Sequence, residues 1–395
     1  MEIAFIPGKE NNEKEIIIYG ASKYGDIAFY LLEYYGLKPK LYCDKALAGQ
    51  KYHDINVIAP NQLYEYRDAI ILVASADYYD EICDSLEEMG IQTIYTLAYM
   101  LENARLDVNK LHVRSRDIYQ NRQNYIDVTI HRNKGLHFTR IQFVVTERCS
   151  LRCKDCTHLM QYYKSPKDLE LTEYRAAFQR LIDVTDYISE VRILGGEPFM
   201  NPKMNQVIEW WHDNPKIGKI TVYTNGTIIP SPDCLNSLTK EKVRVRVSNY
   251  KINSDRIQKL ENVLKEQNID YYVTDYEYWQ DAGDLRFRND SVEKMKHKFE
   301  NCFERNCITF FRGQLHRCPR SAHAMNMKAM PVKREDFVDL RDDTKTDAEL
   351  VEAIKRLQNM EWIEACNYCD GPNNHTQFIK PAVQVKEPRS FFESL

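Results

Sequence analysis

The stretch from Val144 to Met160, VVTERCSLRCKDCTHLM, carries three cysteines within eight residues, Cys149, Cys153 and Cys156. It follows an apolar run at residues 141–145 that is typical of a buried strand. The loop after such a strand is where a β/α unit commonly carries its functional side chains. Three thiolates at this spacing can hold three irons of a cuboidal 4Fe-4S cluster, which leaves the fourth iron open to a small-molecule ligand.

The composition limits the classes of protein and partner. The chain has 395 residues and 43% hydrophobic content, which is enough for a large core and for two or three domains. Its 54 Lys and Arg residues nearly balance its 58 Asp and Glu residues, which argues against nucleic acid and against an anionic membrane as a partner. The N-terminal residues do not resemble a secretory signal, so we expect a cytoplasmic protein that acts on a small molecule or a peptide.

Eleven cysteines are many for a cytoplasmic chain. Because most of them cluster at short spacings, the pattern favours metal ligation over disulfide bonding. Cys43, Cys83 and Cys234 stand outside the clusters and are interpreted as ordinary buried thiols.

The first hundred residues alternate short β-rich runs with amphipathic helical patterns. The runs lie at 15–19, 40–43, 69–74 and 92–97, and this rhythm predicts a small doubly wound domain over residues 1–100. Gly20, Gly25 and Asp44 give only a weak dinucleotide signal, because the turn lacks the full glycine pattern. The region resembles the Rossmann-like N-terminal domains of sugar-processing enzymes such as sugar-nucleotide acetyltransferases. A ligand-binding role and a docking or dimerising role both stay open.

Residues 101–135 are rich in charge and read as a helical linker without a core of its own. From residue 136 the β/α rhythm resumes, with strands predicted at 139–145, 190–194, 219–223, 243–247 and 269–273. The helices between them are predicted at 172–188, from 201, at 232–239 and at 254–267. This order indicates an α/β fold in which residues 136–295 form a partial (β/α)6 TIM-type barrel with its site at the carboxyl ends of the strands.

Short polar and glycine motifs follow successive strands: Gly195-Gly196-Glu197-Pro198, then Thr224-Asn225-Gly226, then Ser248-Asn249. Each motif alone could be a turn. Downstream of C-x3-C-x2-C they resemble the radical S-adenosylmethionine (SAM) enzymes. The resemblance implies that SAM chelates the open iron and is cleaved reductively to a 5′-deoxyadenosyl radical that abstracts hydrogen.

The same resemblance assigns SAM-binding roles. Gly195, Gly196 and Glu197 would hold the amino group, while Asn225 and Ser248 would contact the ribose or carboxylate. One departure is Asp155, which stands where the family usually has an aromatic residue beside the adenine. From the cysteines alone, a zinc knuckle is the alternative.

A second cysteine group lies in residues 296–395. Cys302, Gly313 and Cys318 fit the signature of SPASM and Twitch extensions, and Cys366 with Cys369 would complete four ligands of an auxiliary 4Fe-4S cluster. The single C-x-x-C favours the Twitch type, and a hairpin with strands around Arg312-Gly313 is expected. A zinc ribbon is the alternative. Cys307 is left over as an alternative ligand to Cys302, an inert thiol, or a hydrogen donor to a substrate radical.

These resemblances predict an oxygen-sensitive oxidoreductase-type enzyme reduced by flavodoxin or ferredoxin. We expect it to dehydrogenate or epimerise a sugar, sugar-nucleotide or cyclitol. Modification of a ribosomally made peptide and a non-enzymatic, zinc-stabilised binding scaffold are the two alternatives. Residues that could supply a base or bind hydroxyl groups, though more simply solvated surface, are Tyr278, Trp279, Asp281, Asp284, Arg320, Ser321 and His323.

Overall fold

Two mainly parallel sheets organise the chain. A computed structural model describes residues 4–8, 14–129, 135–373 and 376–391, and the chain divides into a first unit, residues 1–134, and a second unit, residues 135–395. The predicted mixed α/β fold with parallel sheets is confirmed. No helix in the described ranges combines the length and the apolar character that crossing a membrane requires.

The first unit is built on a six-stranded sheet. Its strands β1 to β6 are Ile16–Tyr19, Leu41–Cys43, Lys51–Tyr52, Ile55–Ile58, Ile70–Val73 and Ile94–Tyr95. Its helices α1 to α5 are Lys23–Tyr34, Tyr79–Glu88, Ala98–Asn103, Val113–Gln120 and Gln123–Thr129. The strand order is β3-β4-β2-β1-β5-β6, and every pair is parallel except β3 with β4.

Both faces of this sheet are covered, as a doubly wound domain requires. Successive residues of a strand point to opposite faces. Ile16 and Ile18 of β1 therefore pack in one cluster with α1, α3, α4 and α5, whereas Ile17 packs in another cluster with α2. The buried thiols of Cys43 and Cys83 belong to the second cluster.

The segment predicted as a linker without a core is helical, but it packs onto the core of the first unit. Tyr119 and Tyr125 are 5% and 0% exposed and belong to the cluster that covers α1. The Tyr125 hydroxyl donates to the carbonyl of Val73 at the end of β5 and accepts from the amide of Leu97 at 3.1 Å. The linker prediction is corrected in this respect, because widely spaced aromatic side chains bury as much area as a denser apolar stripe. Residues 130–134 lie outside the described ranges.

Gly20 and Asp44 hold the turn between β1 and α1 together. A Cβ at Gly25 would lie 2.1 Å from the carbonyl oxygen of Gly20, so this turn requires glycine at its end. The Asp44 carboxylate accepts from the amide of Ala21 at 2.9 Å and from that of Ala46 at 2.8 Å. Asp44 thus serves its own backbone in this structure.

The second unit contains eleven strands and seven helices among the residues described. Strands β7 to β17 are His137–Phe138, Ile141–Thr146, Tyr187–Gly195, Ile217–Thr224, Val243–Asn249, Tyr271–Asp275, Trp279–Gln280, Ile308–Phe311, Gln314–His316, Phe337–Asp339 and Phe378–Ile379. Helices α6 to α12 are Thr172–Val184, Asn205–Trp211, Pro232–Leu238, Ser254–Glu266, Val292–Asn301, Pro319–Asn326 and Asp347–Gln358.

The main sheet of this unit runs in the order β12-β11-β10-β9-β8-β14-β15-β16, and β7 pairs with β9. Strands β8 to β12 are parallel, and β14 joins β8 in parallel as well. The predicted hairpin is present as β14 and β15, joined by Arg312 and Gly313 with φ of 52° and 77°. These strands continue the same sheet, so the predicted boundary at residue 295 separates no compact unit.

The helix predicted at residues 172–188 ends earlier than expected. Helix α6 stops at Val184, where Thr185 adopts an extended backbone and its hydroxyl donates to the carbonyl of Leu181 at 2.7 Å. Ile188 lies in β9 rather than in the helix. An isoleucine before a short apolar run fits both the helical and the strand periodicity. The neighbouring strands of the sheet decide that it belongs to a strand.

The two faces of the main sheet differ in chemistry. One face packs under α6, α7, α8, α9 and α12 in an aliphatic and aromatic core that also contains the thiol of Cys234. Ten of the residues at alternate positions form what we call the polar face, namely Gln142, Thr146, Glu190, Arg192, Thr221, Tyr223, Arg246, Ser248, Tyr272 and Thr274. Five of these side chains are less than 9% exposed, namely Gln142, Thr146, Glu190, Thr221 and Ser248. The polar face is therefore largely covered.

Candidate functional site

The first cysteine group lies on the loop that follows β8. Cys149 and Cys156 are partly buried and Cys153 is 7% exposed. Burial raises the pKa of each thiol, to about 12 for Cys153. The thiolate form therefore requires compensating positive charge, such as iron, and hydrogen bonds to sulfur.

N–H groups already point at these sulfurs. The Cys149 sulfur accepts from the amide of Leu151, and the Cys156 sulfur accepts from amides that include those of His158 and Met160. Hydrogen bonds of this kind tune iron-sulfur sites, so the loop fits a cluster.

The C-terminal segment supports the cysteine loop, a contact that the sequence did not predict. Gln384 pairs with Cys153 in an antiparallel bridge, and its Nε2 donates to the Cys153 Sγ at 3.3 Å. The amide of Lys154 also donates to the carbonyl of Val383 at 2.7 Å. The loop is thus held by a segment that is distant in the sequence as well as by its own strand.

The two glycines after β9 allow close contact with the cysteine loop. A Cβ at Gly195 would lie 2.3 Å from the carbonyl oxygen of Thr146. A Cβ at Gly196 would lie 2.1 Å from the carbonyl oxygen of Arg148 and 2.8 Å from the Cβ of Cys149. Only glycine fits these two positions without displacing backbone, so the glycines fix where Cys149 lies.

Glu197 joins the ends of two neighbouring strands. Its side chain is 0% exposed, and burial raises its pKa to about 7. Its carboxylate accepts from the Thr224 hydroxyl at 2.8 Å, the Asn225 amide at 2.8 Å and the Phe199 amide at 3.2 Å. Through these three hydrogen bonds, Glu197 holds the end of β9 against the end of β10.

Asn225 connects this turn to the cysteine loop. Its Nδ2 lies 3.2 Å from the Ser150 hydroxyl and 3.6 Å from the Cys149 Sγ. Its Oδ1 accepts from the amide of Thr227 at 3.0 Å, and the Thr227 hydroxyl contacts Ser150. The cysteine loop after β8, the glycine loop after β9 and the Asn225 turn after β10 are thus in direct contact with one another.

Ser248 lies at the end of β11 and introduces a residue that sequence reasoning missed. Its side chain is 7% exposed and is hydrogen-bonded to Tyr250. Burial raises the pKa of Tyr250, and its hydroxyl interacts electrostatically with Cys153 and Cys156. The Tyr250 ring also contacts Trp279, with centroids 5.2 Å apart. The only sequence signal for Tyr250 was its place directly after a strand end.

The second cysteine group surrounds a cavity. Cys302, Cys318, Cys366 and Cys369 all line one cavity, together with Phe299, Ile363 and Ala365 among others. Amides of Glu304 and Gly371 donate to the sulfurs of Cys302 and Cys369, each at 3.4 Å. The Cys318 sulfur accepts from the first amides of α11. Four thiols with amide donors around one space fit a cluster with no open iron.

Lys298 fixes the C-x-x-C end of this cavity. Its ammonium group donates to the carbonyl of Cys369 at 2.7 Å and to Asp290 at 2.6 Å, and it also contacts the carbonyl of Cys366. Arg305, Arg320 and Glu304 line the same cavity, so charged groups of both signs border the thiols.

Cys307 lies apart from the other four. It is 6% exposed and does not line the cavity. Burial raises the pKa of its thiol, which is hydrogen-bonded to Glu304 and interacts with Arg140 and Arg192. The structure therefore separates Cys307 from the group that contains Cys302.

The other residues considered as bases or hydroxyl binders are scattered. Tyr278 is 40% exposed against Phe378, and Asp281 interacts with Asp155, whose pKa burial raises. Asp284 is paired with arginines on its own loop, whereas Ser321 and His323 are fully buried in α11. Trp279 contacts Tyr250, Asp281 interacts with Asp155 of the first cysteine loop, and Arg320 and Ser321 lie beside Cys318.

No three His, Cys, Asp or Glu side chains in the described ranges converge as ligands of one metal ion. A cuboidal cluster does not require such convergence, because each iron takes its own thiolate.

Comparisons with known proteins identify the region of the first site. Residues 135–269 match the family model described as a 4Fe-4S single cluster domain. The matched segment includes Cys149, Cys153 and Cys156 and the three strand-end motifs. The match confirms the prediction of a 4Fe-4S cluster in this part of the chain.

Curated relatives match over part of their length. The GTP 3′,8-cyclase of Clostridium acetobutylicum is 28% identical over 130 residues, which are 32% of this chain and 40% of the relative. Molybdenum cofactor biosynthesis protein 1 of Drosophila melanogaster is 28% identical over 95 residues, 24% of this chain and 17% of that protein. The chain thus spans less than half the length of these relatives.

Two solved structures show distant likenesses. BtrN in complex with AdoMet and 2-DOIA has a TM-score of 0.36 at 14% identity, with 59% of this chain and 92% of BtrN covered. Native anSMEcpe with bound AdoMet has a TM-score of 0.39 at 11% identity, with 62% of this chain and 93% of that one covered. At these TM-scores the likenesses carry no argument about substrate or mechanism.

Proposed function

We propose that this chain is a radical SAM enzyme that acts on a small polar substrate. One observation carries the proposal. The loop with three cysteines after β8 is in direct contact with the glycine loop after β9 and the Asn225 turn after β10. A zinc knuckle needs no such contacts, whereas a cofactor bound at the carboxyl ends of parallel strands is enclosed by neighbouring loops.

Cys149, Cys153 and Cys156 would hold three irons of the cluster, and SAM would occupy the fourth. When bound, this pair supplies reductive cleavage of SAM and abstraction of a hydrogen atom from the substrate. The chain's own residues position the site. Gly196 lets the backbone approach Cys149, and the buried Glu197 locks the strand ends that border the cofactor. Gly195, Gly196 and Glu197 of this loop, with the side chains of Asn225 and Ser248, are the proposed SAM contacts.

The cavity of the second group would hold an auxiliary 4Fe-4S cluster on Cys302, Cys318, Cys366 and Cys369. Phe299, Ile363 and Ala365 form the apolar part of its wall, and charged side chains line the rest. Lys298 acts as a positioning residue through its bond to the carbonyl of Cys369. A fully ligated cluster of this kind is suited to accepting an electron, which favours substrate oxidation over a redox-neutral change.

We further propose a sugar, sugar-nucleotide or cyclitol as the substrate class. The polar face supports this choice, since its hydroxyl and amide groups can bind the hydroxyls of a carbohydrate. Tyr223, Tyr272 and Thr274 carry hydroxyls on the partly exposed portion of this face. Flavodoxin or ferredoxin is the proposed electron donor, and a reducing cytoplasm the proposed compartment.

The proposal is tested with anaerobically reconstituted protein incubated with SAM and dithionite. Formation of 5′-deoxyadenosine is expected with the wild type and is expected to be lost in Cys149→Ala. Cys234→Ala is the matched control, because that thiol is buried in the apolar core. Zinc in place of iron, with no deoxyadenosine from the wild type, would contradict the proposal. Stimulation by a peptide and not by any carbohydrate would replace the substrate class.

A further inference from the structure

The polar face carries two arginines, Arg192 on β9 and Arg246 on β11. They differ in whether a carboxylate is bonded to the guanidinium group. Arg192 is neutralised locally. Its Nε donates to the Glu190 carboxylate at 2.6 Å, and the Thr221 hydroxyl donates to the other oxygen of that carboxylate at 2.6 Å. Although burial opposes it, Arg192 and Lys219 hold the pKa of Glu190 low, at about 2. The carboxylate of Glu190 is thus fully engaged.

Arg246 is surrounded by neutral groups instead. Within the described part of the chain its hydrogen bonds go to the Thr274 hydroxyl at 3.3 Å, the Tyr223 hydroxyl at 3.3 Å and the Tyr276 hydroxyl at 2.9 Å. Its guanidinium carbon lies 5.0 Å from the ring centroid of Tyr223 and 5.9 Å from that of Tyr272. Three hydroxyls and three ring faces, the third being that of Tyr276 at 5.9 Å, solvate the charge without cancelling it.

Of the two guanidinium groups on this face, only that of Arg192 is bonded to the carboxylate of Glu190. Arg192 lies 5.1 Å from the centroid of the same Tyr223 ring that Arg246 contacts, so both cations border one tyrosine. A partly buried cation without a counter-charge has lost part of its hydration, and a bound anion offsets that loss. The balance of charge at Arg246 therefore favours an anionic ligand.

The donor geometry of Arg246 fits such a ligand. A guanidinium has five N–H groups. The Nε–H and one N–H from each terminal nitrogen are used in the three bonds to hydroxyls, which leaves one N–H on each terminal nitrogen. One N–H on each of the two terminal nitrogens can bind two oxygens of a carboxylate or phosphate. Arg246 is partly exposed, so a ligand can reach it.

The position of Arg246 connects it to the proposed reaction site. Arg246, Ser248 and Tyr250 follow one another at alternate positions of one chain segment, and the hydroxyl of Tyr250 interacts with Cys153 and Cys156. Two residues of a strand span about 7 Å, so Arg246 lies about one such step from Ser248 on the side away from the cysteine loop. A molecule held by its anionic group at Arg246 would extend toward the cysteines.

We propose that Arg246 binds an anionic group of the substrate, a phosphate or a carboxylate, so that the substrate is an acidic or phosphorylated small molecule. This inference rests on the proposed function and narrows its substrate class. Tyr223 and Tyr276 orient the guanidinium, and Ser248 and Tyr250 border the part of the substrate nearest the cysteines.

The test is a calorimetric titration of the anaerobically reconstituted protein with inorganic phosphate and with malonate at matched ionic strength. At least one of these probes is expected to bind the wild type with one site per chain. Arg246→Met is expected to weaken that binding at least about tenfold, and Arg246→Lys by a smaller factor, because lysine keeps the charge but not the paired donors. The probe that binds more tightly indicates whether the substrate carries a phosphate or a carboxylate.

The matched control is Arg244→Met. Arg244 lies on the same strand two residues earlier, but it is paired with the carboxylate of Asp270 at 2.5 Å. Its removal is expected to leave anion binding unchanged. The inference is wrong if neither probe binds the wild type, if Arg246→Met binds like the wild type, or if Arg244→Met loses as much affinity as Arg246→Met.

A second measurement distinguishes the proposed role of Arg246 from the proposed function. If Arg246→Met does not fold, the comparison of Arg246→Lys with the wild type decides the inference. Substrate-independent cleavage of SAM is measured on the same preparations. Intact cleavage without anion binding would overturn only the role of Arg246, whereas anion binding without any cleavage would overturn only the proposed function.

Discussion

Replacing Gly196 by alanine is expected to remove the first cluster while the second stays in place. The added Cβ would lie 2.1 Å from the carbonyl oxygen of Arg148 and 2.8 Å from the Cβ of Cys149. Neither neighbour is the end of a flexible side chain. The loop that carries the cysteines must therefore move, and Cys149 moves with it.

The size of the effect follows from the nature of the clash. Adding a methyl group to a tightly packed site costs about 1–3 kcal/mol, and an obstruction by backbone lies at the upper end, about 3 kcal/mol. If the loop shifts instead, the strain is relieved but Cys149 no longer holds its place. Metal sites tolerate ligand displacements of only about 0.2 Å, so cluster binding is lost before the fold is.

The assay is quantification of iron and sulfide after anaerobic reconstitution, with SAM cleavage measured in parallel. We expect about eight irons per chain in the wild type and about four in Gly196→Ala. Gly218→Ala is the matched control. Its Cβ would lie 2.7 Å from the carbonyl oxygen of Ser189 and 2.5 Å from the Tyr187 hydroxyl. Gly218 lies at the start of β10, at the opposite end of that strand from Asn225. It is expected to lower stability comparably but to keep all the iron.

A Gly196→Ala protein with full iron content and wild-type SAM cleavage would refute this reasoning. Equal loss of iron in Gly218→Ala would refute it as well, because general destabilisation would then explain the result.

Further predictions concern single side chains and oxygen. Cys302→Ala is expected to lower the iron content by about four per chain, whereas Cys307→Ala keeps it, as inductively coupled plasma spectrometry can show; equal losses would place Cys307 in the cluster. Asp26 accepts from His53 at 2.9 Å and from the His112 amide at 3.0 Å, and despite burial these bonds lower its pKa. The ionised Asp26 therefore stabilises the fold above pH 3.8, and this stabilisation is lost as the pH falls through the lowered pKa. Asp26→Asn should lower the free energy of urea unfolding by about 2 kcal/mol at pH 7 and flatten the dependence of that free energy on pH below pH 4. An unchanged pH dependence would exclude this role. Exposure to air is expected to abolish SAM cleavage, and activity that survives prolonged aeration would contradict an open iron site.

Much of the parallel sheet was predictable from strand-length apolar runs. Residues 219–223 and 243–247 alternate apolar with polar side chains, and both runs are strands with one apolar and one polar face. The cysteine loop and the strand-end motifs were also predictable as neighbours, because the carboxyl ends of parallel strands meet at one edge of a sheet.

Other features depend on contacts between distant parts of the chain. The bridge between Cys153 and Gln384 joins segments 231 residues apart, and no local pattern signals it. The hairpin of β3 and β4 was missed because its turn uses His53 and Asp54 at φ of 48° and 61°, a conformation typical of glycine or asparagine. The chemistry of Arg246 could not be separated from that of Arg244 by sequence, since only the structure shows which one faces a carboxylate.

The central claim is that the chain holds two separate clusters, of which the first has an open iron. The most direct measurement is iron and sulfide content of the wild type and of a Cys149/Cys153/Cys156→Ala variant. We expect about eight irons per chain in the wild type and about four in the variant, with SAM cleavage only in the wild type. Four irons in the wild type, with none in the variant, would remove the auxiliary cluster, and zinc in place of iron would contradict the account as a whole.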